Sequence, residues 1–150
     1  MHISKAKGSA DKVETVRGFV HALRVQSKII FLLVRDITGI MQVIVTKDNP
    51  IFDVVKNLST ESVVSVTGEI KLADQAPGGA EMQLEAIETL SVAAPELPIP
   101  IVTIKGGEET DAPVRFDHRW IDLRKPEKAI IFKVWTAFEK GWRKFWDENN

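Results

Sequence analysis

The fold of this chain is decided by residues 13–45, which read VETVRGFVHALRVQSKIIFLLVRDITGIMQVIV. Three runs rich in β-branched residues lie within this stretch, and they predict strands at Val13–Leu23, Lys28–Arg35 and Gly39–Thr46. The tetrapeptide at 36–39, DITG, is typical of a tight turn, because glycine tolerates positive φ and an aspartate can bond backbone amides of its own turn. The stretch therefore predicts three consecutive strands, of which the last two form a hairpin.

The segment that follows becomes helical once and then returns to strands. Asp48-Asn49-Pro50 before IFDVVKNLS is a capped helix start, with proline at the first helical position and apolar residues at helical spacing. Two more strand-like runs, Glu61–Leu72 and Ala80–Ser91, are separated by Pro77-Gly78-Gly79. Three strands, a short helix and two strands is the order of the OB-fold, a mainly β, five-stranded Greek-key barrel whose exposed sheet face binds oligonucleotides.

The remaining segments suggest how the chain is divided. We expect residues 1–10, which are small and polar, to form a flexible tail before a barrel at 11–98. We expect a hinge at 99–125, because proline and glycine punctuate residues 95–107. From Pro126 the pattern predicts a helix over 126–150. Its apolar stripe is mostly aromatic and consists of Ile131, Trp135, Phe138, Trp142 and Phe145.

Composition excludes several classes of site. The formal net charge of −1 is not that of a protein that holds nucleic acid by bulk charge, so any such binding depends on local cations. The chain has no cysteine, and His2, His21 and His118 lack the spacing of a zinc site. No apolar run reaches membrane-spanning length and the N-terminus lacks the apolar core of a signal peptide, so we expect a cytoplasmic protein.

Three residues on or directly beside the predicted strands have side chains that suit single-stranded nucleic acid. Arg24, Phe31 and Gln42 provide a cation, an aromatic ring and an amide, which are groups that stack on unpaired bases or bond their edges. The run Ile29–Val34 is apolar on both faces, so the pattern leaves open whether Phe31 is a core residue or an exposed one. Lys28 is a candidate phosphate contact, together with Lys47 and Arg17.

A second stretch, RFDHRWIDLRKPE at Arg115–Glu127, adds to the first. Together the two stretches resemble the N-terminal anticodon-binding domain and the start of the catalytic domain of aspartyl-tRNA synthetases, which are class II enzymes, in their archaeal and eukaryotic form. The helix after the second stretch resembles the motif 1 helix of class II synthetases, which builds their dimer interface. The resemblance therefore implies a homodimer formed through the C-terminal helix.

The resemblance also implies roles for single residues. Phe31 matches a phenylalanine that stacks on the central anticodon base, and Arg24 and Gln42 match polar anticodon contacts. Glu81 matches a glutamate near the first anticodon base, where a carboxylate would accept from the amino and imino groups of guanine. The implied partner is the anticodon loop of an aspartate tRNA.

The resemblance implies ATP and magnesium for the full-length enzyme, but no cofactor and no catalytic residue in this chain. The segments that bind ATP and aspartate in the family have no counterpart in these 150 residues, so we expect the chain alone to bind tRNA and not to catalyse. Two alternatives stay open at this point. One is a non-discriminating enzyme that also charges asparagine tRNA, and the other is a free-standing OB-fold module that binds single-stranded nucleic acid or a protein.

Overall fold

The computed structural model describes residues 1–102 and 109–149. Part of the predicted hinge, residues 103–108, and the last position of the predicted helix lie outside the described residues. The chain divides into two compact units, Met1–Glu96 and Leu97–Asn150.

The first unit is a closed barrel. Its strands are β1 (Val13–Val25), β2 (Ile29–Asp36), β3 (Gly39–Thr46), β4 (Val63–Leu72) and β5 (Ala80–Ser91), with helix α1 at Ile3–Ala6 and helix α2 at Phe52–Lys56. The strand order is β1-β2-β3-β5-β4, and β1 also pairs with β4. All neighbours are antiparallel except β3 and β5, which run parallel. The predicted mainly β OB-fold, with its short helix between β3 and β4, is confirmed.

Alternate side chains of the strands fill the interior of the barrel. Because the side-chain period of a strand is two, a slip of one residue would turn the whole apolar set outward, so the register is strongly specified. Each fully buried side chain of this kind contributes roughly 1.5–3 kcal/mol. The fully buried strand residues are Val16, Val20, Ile30, Leu32, Val34, Met41, Val43, Val45, Val64, Val66, Ile70 and Met82.

The first ten residues differ from the expected flexible tail. Ile3 and Ala6 are fully buried and join the core of the barrel. The carboxylate of Asp36 accepts from the backbone N–H of Ile3 at 2.9 Å, and it also accepts from Thr38 and Gly39 within its own turn. Burial acts to raise the pKa of Asp36, but hydrogen bonds from the hydroxyl and backbone N–H of Thr38, the backbone N–H of Ile3 and the side chain of His2 outweigh it, and the pKa is lowered. Two kinds of contact hold the segment in place. Ile3 and Ala6 pack into the core of the barrel, and the backbone N–H groups of Ile3 and Ser4 donate to Asp36 and Thr38 in the β2–β3 turn.

The second unit is helical. Its helices are α3 (Ala112–Asp117), α4 (Arg119–Asp122) and α5 (Pro126–Asn149). Asp122 is fully buried and lies within 3.5 Å of cationic nitrogens of Arg115, Arg119 and Lys125. The predicted start of the last helix at Pro126 is observed, whereas α3 and α4 lie within the segment expected to be a hinge. No helix in the described ranges combines the length and the apolar character needed to cross a membrane.

Candidate nucleic-acid interface

The outward surface of β2 and its neighbours brings most of the predicted residues together. Ile30, Leu32 and Val34 point into the core, so the alternating residues Phe31 and Leu33 point outward. Phe31 pairs with Arg24 on β1 and with Ile44 on β3, and directly paired residues share a face of the sheet. We call this surface, formed by Arg24, Phe31, Leu33, Gln42, Ile44, Glu81 and Gln83, the β2 face.

Phe31 is partly exposed and does not belong to the core cluster. Its outward neighbours Leu33 and Ile44 are each only 9% exposed, so the aromatic ring lies among apolar side chains that are closer-packed than itself. The single interior of the barrel is filled by the other side of β2. This placement answers the question that the apolar pattern left open, since Phe31 is available to a ligand.

Two amides hold a carboxylate elsewhere on the β2 face, across β3 and β5. Gln42 on β3 pairs with Glu81 on β5, and Gln42 Nε2 donates to Glu81 Oε2 at 3.1 Å. Gln83 Nε2 donates to the other oxygen, Glu81 Oε1, at 3.2 Å. Sequence reasoning selected Gln42 and Glu81 but missed Gln83. The alternation of Glu81 and Gln83 on one strand was visible, whereas the parallel pairing that sets them beside β3 was not.

Exposed cations lie toward the other end of the β2 face. Arg24 and Lys28 are exposed, and the backbone N–H of Lys47 donates to the carbonyl of Lys28 at 2.9 Å. Arg17 is exposed too, but it lies on the half of β1 that pairs with β4 and is not part of this group. The face therefore has acceptors around Glu81, an aromatic ring in the middle and cations beyond it, which suits a short run of nucleotides.

A buried ion pair continues the outward side of β2. Arg35 Nη2 donates to Glu61 Oε1 at 2.8 Å, and Arg35 Nη1 lies 2.8 Å from His21 Nδ1. The guanidinium also lies over the ring of Phe19, 5.6 Å from its centroid. Burial and the charge of Arg35 lower the pKa of His21, although Glu61 acts in the opposite direction. Arg35 therefore links β2 to His21 on β1 and to Glu61 before β4, whereas the adjacent Asp36 bonds within the β2–β3 turn.

A pocket of about 570 Å³ opens beside the loop between β1 and β2. Lys47 and Lys56 line it together with Asp48 and Asp53, so its charge is mixed. Within the described residues, no group of three or more His, Cys, Asp or Glu side chains could hold a metal ion.

The barrel with this face matches a known family. Residues 14–90, just over half of the chain, match the profile of the OB-fold nucleic acid binding domain of the tRNA anticodon type. The chain belongs to this family. Among curated proteins, the aspartate–tRNA(Asp/Asn) ligase of Methanospirillum hungatei is 40% identical over 137 residues, covering 89% of this chain and 31% of the relative. The corresponding ligase of Archaeoglobus fulgidus is 37% identical over the same length.

Solved structures agree with this membership of the OB-fold nucleic acid binding family. The asparaginyl-tRNA synthetase of Pyrococcus horikoshii, complexed with asparaginyl-adenylate, superposes with a TM-score of 0.83 at 30% sequence identity. The match covers 97% of this chain and 33% of the synthetase chain. The aspartyl-tRNA synthetase of Entamoeba histolytica has a TM-score of 0.87 at 22% identity, covering 99% of this chain and 37% of its own, and shows the shared fold. The resemblance to aspartyl-tRNA synthetases is confirmed. The chain spans about a third of the length of the curated relatives it matches.

Proposed function

We propose that this chain binds the anticodon loop of an aspartate tRNA through the β2 face. The observation that carries the proposal is the outward, partly exposed ring of Phe31, set between Arg24 and the Gln42–Glu81 pair. An aromatic platform with a cation on one side and hydrogen-bonding groups on the other stacks a base and bonds the edges of its neighbours. In this proposal Phe31 stacks on the central base, Arg24 and Gln42 contact base edges, Glu81 accepts from the first base, and Lys28 contacts a phosphate.

The larger protein proposed from these relatives is an aspartate–tRNA ligase. In it the chain would present the tRNA to a catalytic domain that uses ATP and magnesium, and the enzyme would act in the cytoplasm, where protein synthesis consumes its product. We also propose a homodimer formed through α5, because this helix exposes a continuous aromatic side, from Trp135 at 58% exposure to Phe145 at 57%.

The test of the β2 face is the substitution Phe31→Ala. The affinity for an RNA stem-loop carrying the aspartate anticodon is expected to fall by about 1–3 kcal/mol, the usual loss when a base–aromatic stack is removed. The fold should persist, because Phe31 is not among the buried core residues. Binding is measured by fluorescence titration and folding by thermal melting.

Phe116→Ala is a matched control for this test. Phe116 is also an exposed phenylalanine, at 67%, but it lies on α3 and not on the β2 face. Its removal should leave stem-loop affinity unchanged. A Phe31→Ala chain that binds as tightly as the unchanged chain, or that no longer melts cooperatively, would contradict the proposal.

A second candidate is recognition of both aspartate and asparagine tRNAs. The curated relatives from M. hungatei and A. fulgidus are named for tRNA(Asp/Asn), which favours this candidate. The two anticodons differ only at the third base, so stem-loops with cytosine or uracil at that position separate the two functions. Similar affinities support the broader candidate, and a tenfold or larger preference for cytosine supports the narrower one.

A further inference from the structure

Gln83 is a member of the β2 face to which the sequence assigned no role. It lies two residues after Glu81 on β5, so both side chains point outward from the barrel. Its neighbour on β3 is Ile44, which in turn pairs with Phe31 on β2. Phe31 on β2, Ile44 on β3 and Gln83 on β5 therefore lie in one row across the sheet.

The backbone of Gln83 is held on both sides. It pairs with Ile44 on β3 and with Glu69 on β4. Gly68 allows the close approach of β4, since a Cβ atom at this position would overlap the carbonyl oxygen of Gln83. The side chain of Gln83 therefore extends from a fixed point of the backbone, two residues from Glu81, and its amide reaches the carboxylate at 3.2 Å.

Neutral donors, and not cations, hold the Glu81 carboxylate. Gln42 donates to one oxygen and Gln83 to the other, at 3.1 and 3.2 Å. Lys71 pairs with Glu81 in the strand register, but its ammonium group lies beside Glu69 and Asp11. In the ranges 1–102 and 109–149, no ion pair to Glu81 is formed. Its negative charge therefore remains available to an incoming donor.

The geometry points to Gln83 as a positioning residue for base recognition at Glu81. This inference rests on the proposed function. Each carboxylate oxygen accepts two hydrogen bonds, and the amides of Gln42 and Gln83 use one on each oxygen. Two adjacent acceptors remain, and they match the N1–H and 2-amino donors of guanine. No other standard base has two adjacent donors on its Watson–Crick edge, so a fixed carboxylate selects guanine.

The substitution Gln83→Met tests this role, because methionine keeps the length of the side chain and removes the amide. The measured quantity is the ratio of affinities for two stem-loops, one with guanosine and one with inosine at the first anticodon position. Inosine lacks only the 2-amino group. We expect the ratio to fall about fivefold in Gln83→Met, as expected for weakening a hydrogen bond to a charged group. Gln75→Met, at an exposed glutamine in the β4–β5 turn, should leave the ratio unchanged.

A double variant separates positioning from direct contact. If Gln83 acts through Glu81, then Gln83→Met should not change the ratio further in a chain that already carries Glu81→Ala. A ratio that falls equally in both backgrounds would overturn the positioning role. Gln83→Glu provides a second variant of similar size and is expected to lower the ratio as well, by repulsion of Glu81.

The two proposals fail differently. An unchanged chain that binds neither stem-loop overturns the proposed function, and the inference with it. The inference alone is overturned if the unchanged chain prefers the guanosine stem-loop and both Gln83 variants, while folded, show the same guanosine-to-inosine affinity ratio as that chain.

Discussion

Phe31 lies on the outward surface of the barrel although Ile30 and Leu32, its neighbours in the chain, are fully buried. The sequence could not decide this orientation, because the run is apolar on both faces and periodicity gives no direction. The structure shows the orientation: the barrel has one interior, Ile30, Leu32 and Val34 help to fill it, and the opposite face of the strand, with Phe31, points outward. Under the proposed function, this apolar second face of β2 is the surface that the RNA covers.

Gln83 and Arg35 mark the limit of sequence reasoning at this scale. Arg35 meets Glu61 only after the segment before β4 has returned to β1. Gln83 joins the site only because β5 pairs with β3, which brings Gln42 to the same Glu81 carboxylate. The turn role of Asp36 was predictable, because its partners Thr38 and Gly39 are two and three residues away. Local hydrogen bonds can be inferred from the sequence, whereas the long-range pairs Arg35–Glu61 and Gln42–Glu81 depend on topology.

His21 should make stability depend on pH in a defined window. Its folded-state pKa lies below the unfolded value of about 6.5. Between the two values the unfolded chain binds more protons, so the free energy of unfolding should decrease as the pH falls from about 6.5 toward the folded-state pKa. Physically, protonation of Nδ1 removes the acceptor that faces Arg35 Nη1.

The substitution His21→Gln is the comparison for this effect, since a glutamine carbonyl can accept from Arg35 and does not titrate. Denaturant unfolding at a series of pH values should give a shallower pH dependence for His21→Gln in that window. Carboxylate titrations are common to both chains and cancel in the difference. Parallel curves for the two chains would show that His21 is not linked to folding.

At the scale of elements, the five strands and α2 were predicted closely, whereas α1, α3 and α4 were not. The observed strands begin and end within two residues of the predicted positions, and β3 and β5 agree at both ends. Helices of four to six residues are too short for a helical period alone to show, and α2 was found because a capped start, Asp48-Asn49-Pro50, precedes it, a signal that the sequence analysis did not find before α1, α3 or α4. Ile3 and Ala6 give no local signal, because their burial depends on the barrel beside them.

Gly141 gives a direct test of the longest helix. It lies inside α5, and a Cβ atom at this position would meet nothing within 4 Å. Gly141→Ala should therefore stabilise α5 by about 1 kcal/mol, through the lower backbone entropy cost of alanine in a helix. Ala137→Gly, on the same helix, should have the opposite effect of similar size. Thermal melting followed by far-UV circular dichroism measures both, and a destabilised Gly141→Ala would mean that the position is closely packed.

At the scale of the whole molecule, α5 predicts self-association of the 150-residue chain. Its exposed side includes Trp135, Phe138 and Trp142, each more than half exposed. Burial of a large apolar side chain is worth roughly 1.5–3 kcal/mol, so a few such residues provide the driving force for a two-fold pair of helices. Sedimentation should show a concentration-dependent dimer.

Two altered chains serve as controls for the dimer. One ends at Arg124 and so lacks the helix, and the other carries Trp142→Glu within the full length. Both should sediment as monomers. If the unchanged chain is also a monomer at every concentration, and its tryptophan fluorescence matches that of an exposed indole, the association through α5 is refuted.

The parallel contact between β3 and β5 is the shortest seam of the barrel. It joins Gln42–Ile44 to Glu81–Gln83 through three residue pairs, whereas β4 and β5 share ten. Pairing β3 with β5 closes a long loop of chain, which costs conformational entropy. We therefore expect the separation of β3 from β5 to be the local opening of the barrel with the lowest free energy. Under the proposed function, Gln42 on β3 and Glu81 on β5 contact the same RNA. The bound RNA would then link β3 to β5, and separation of the two strands would require the loss of its contacts with Gln42 or Glu81.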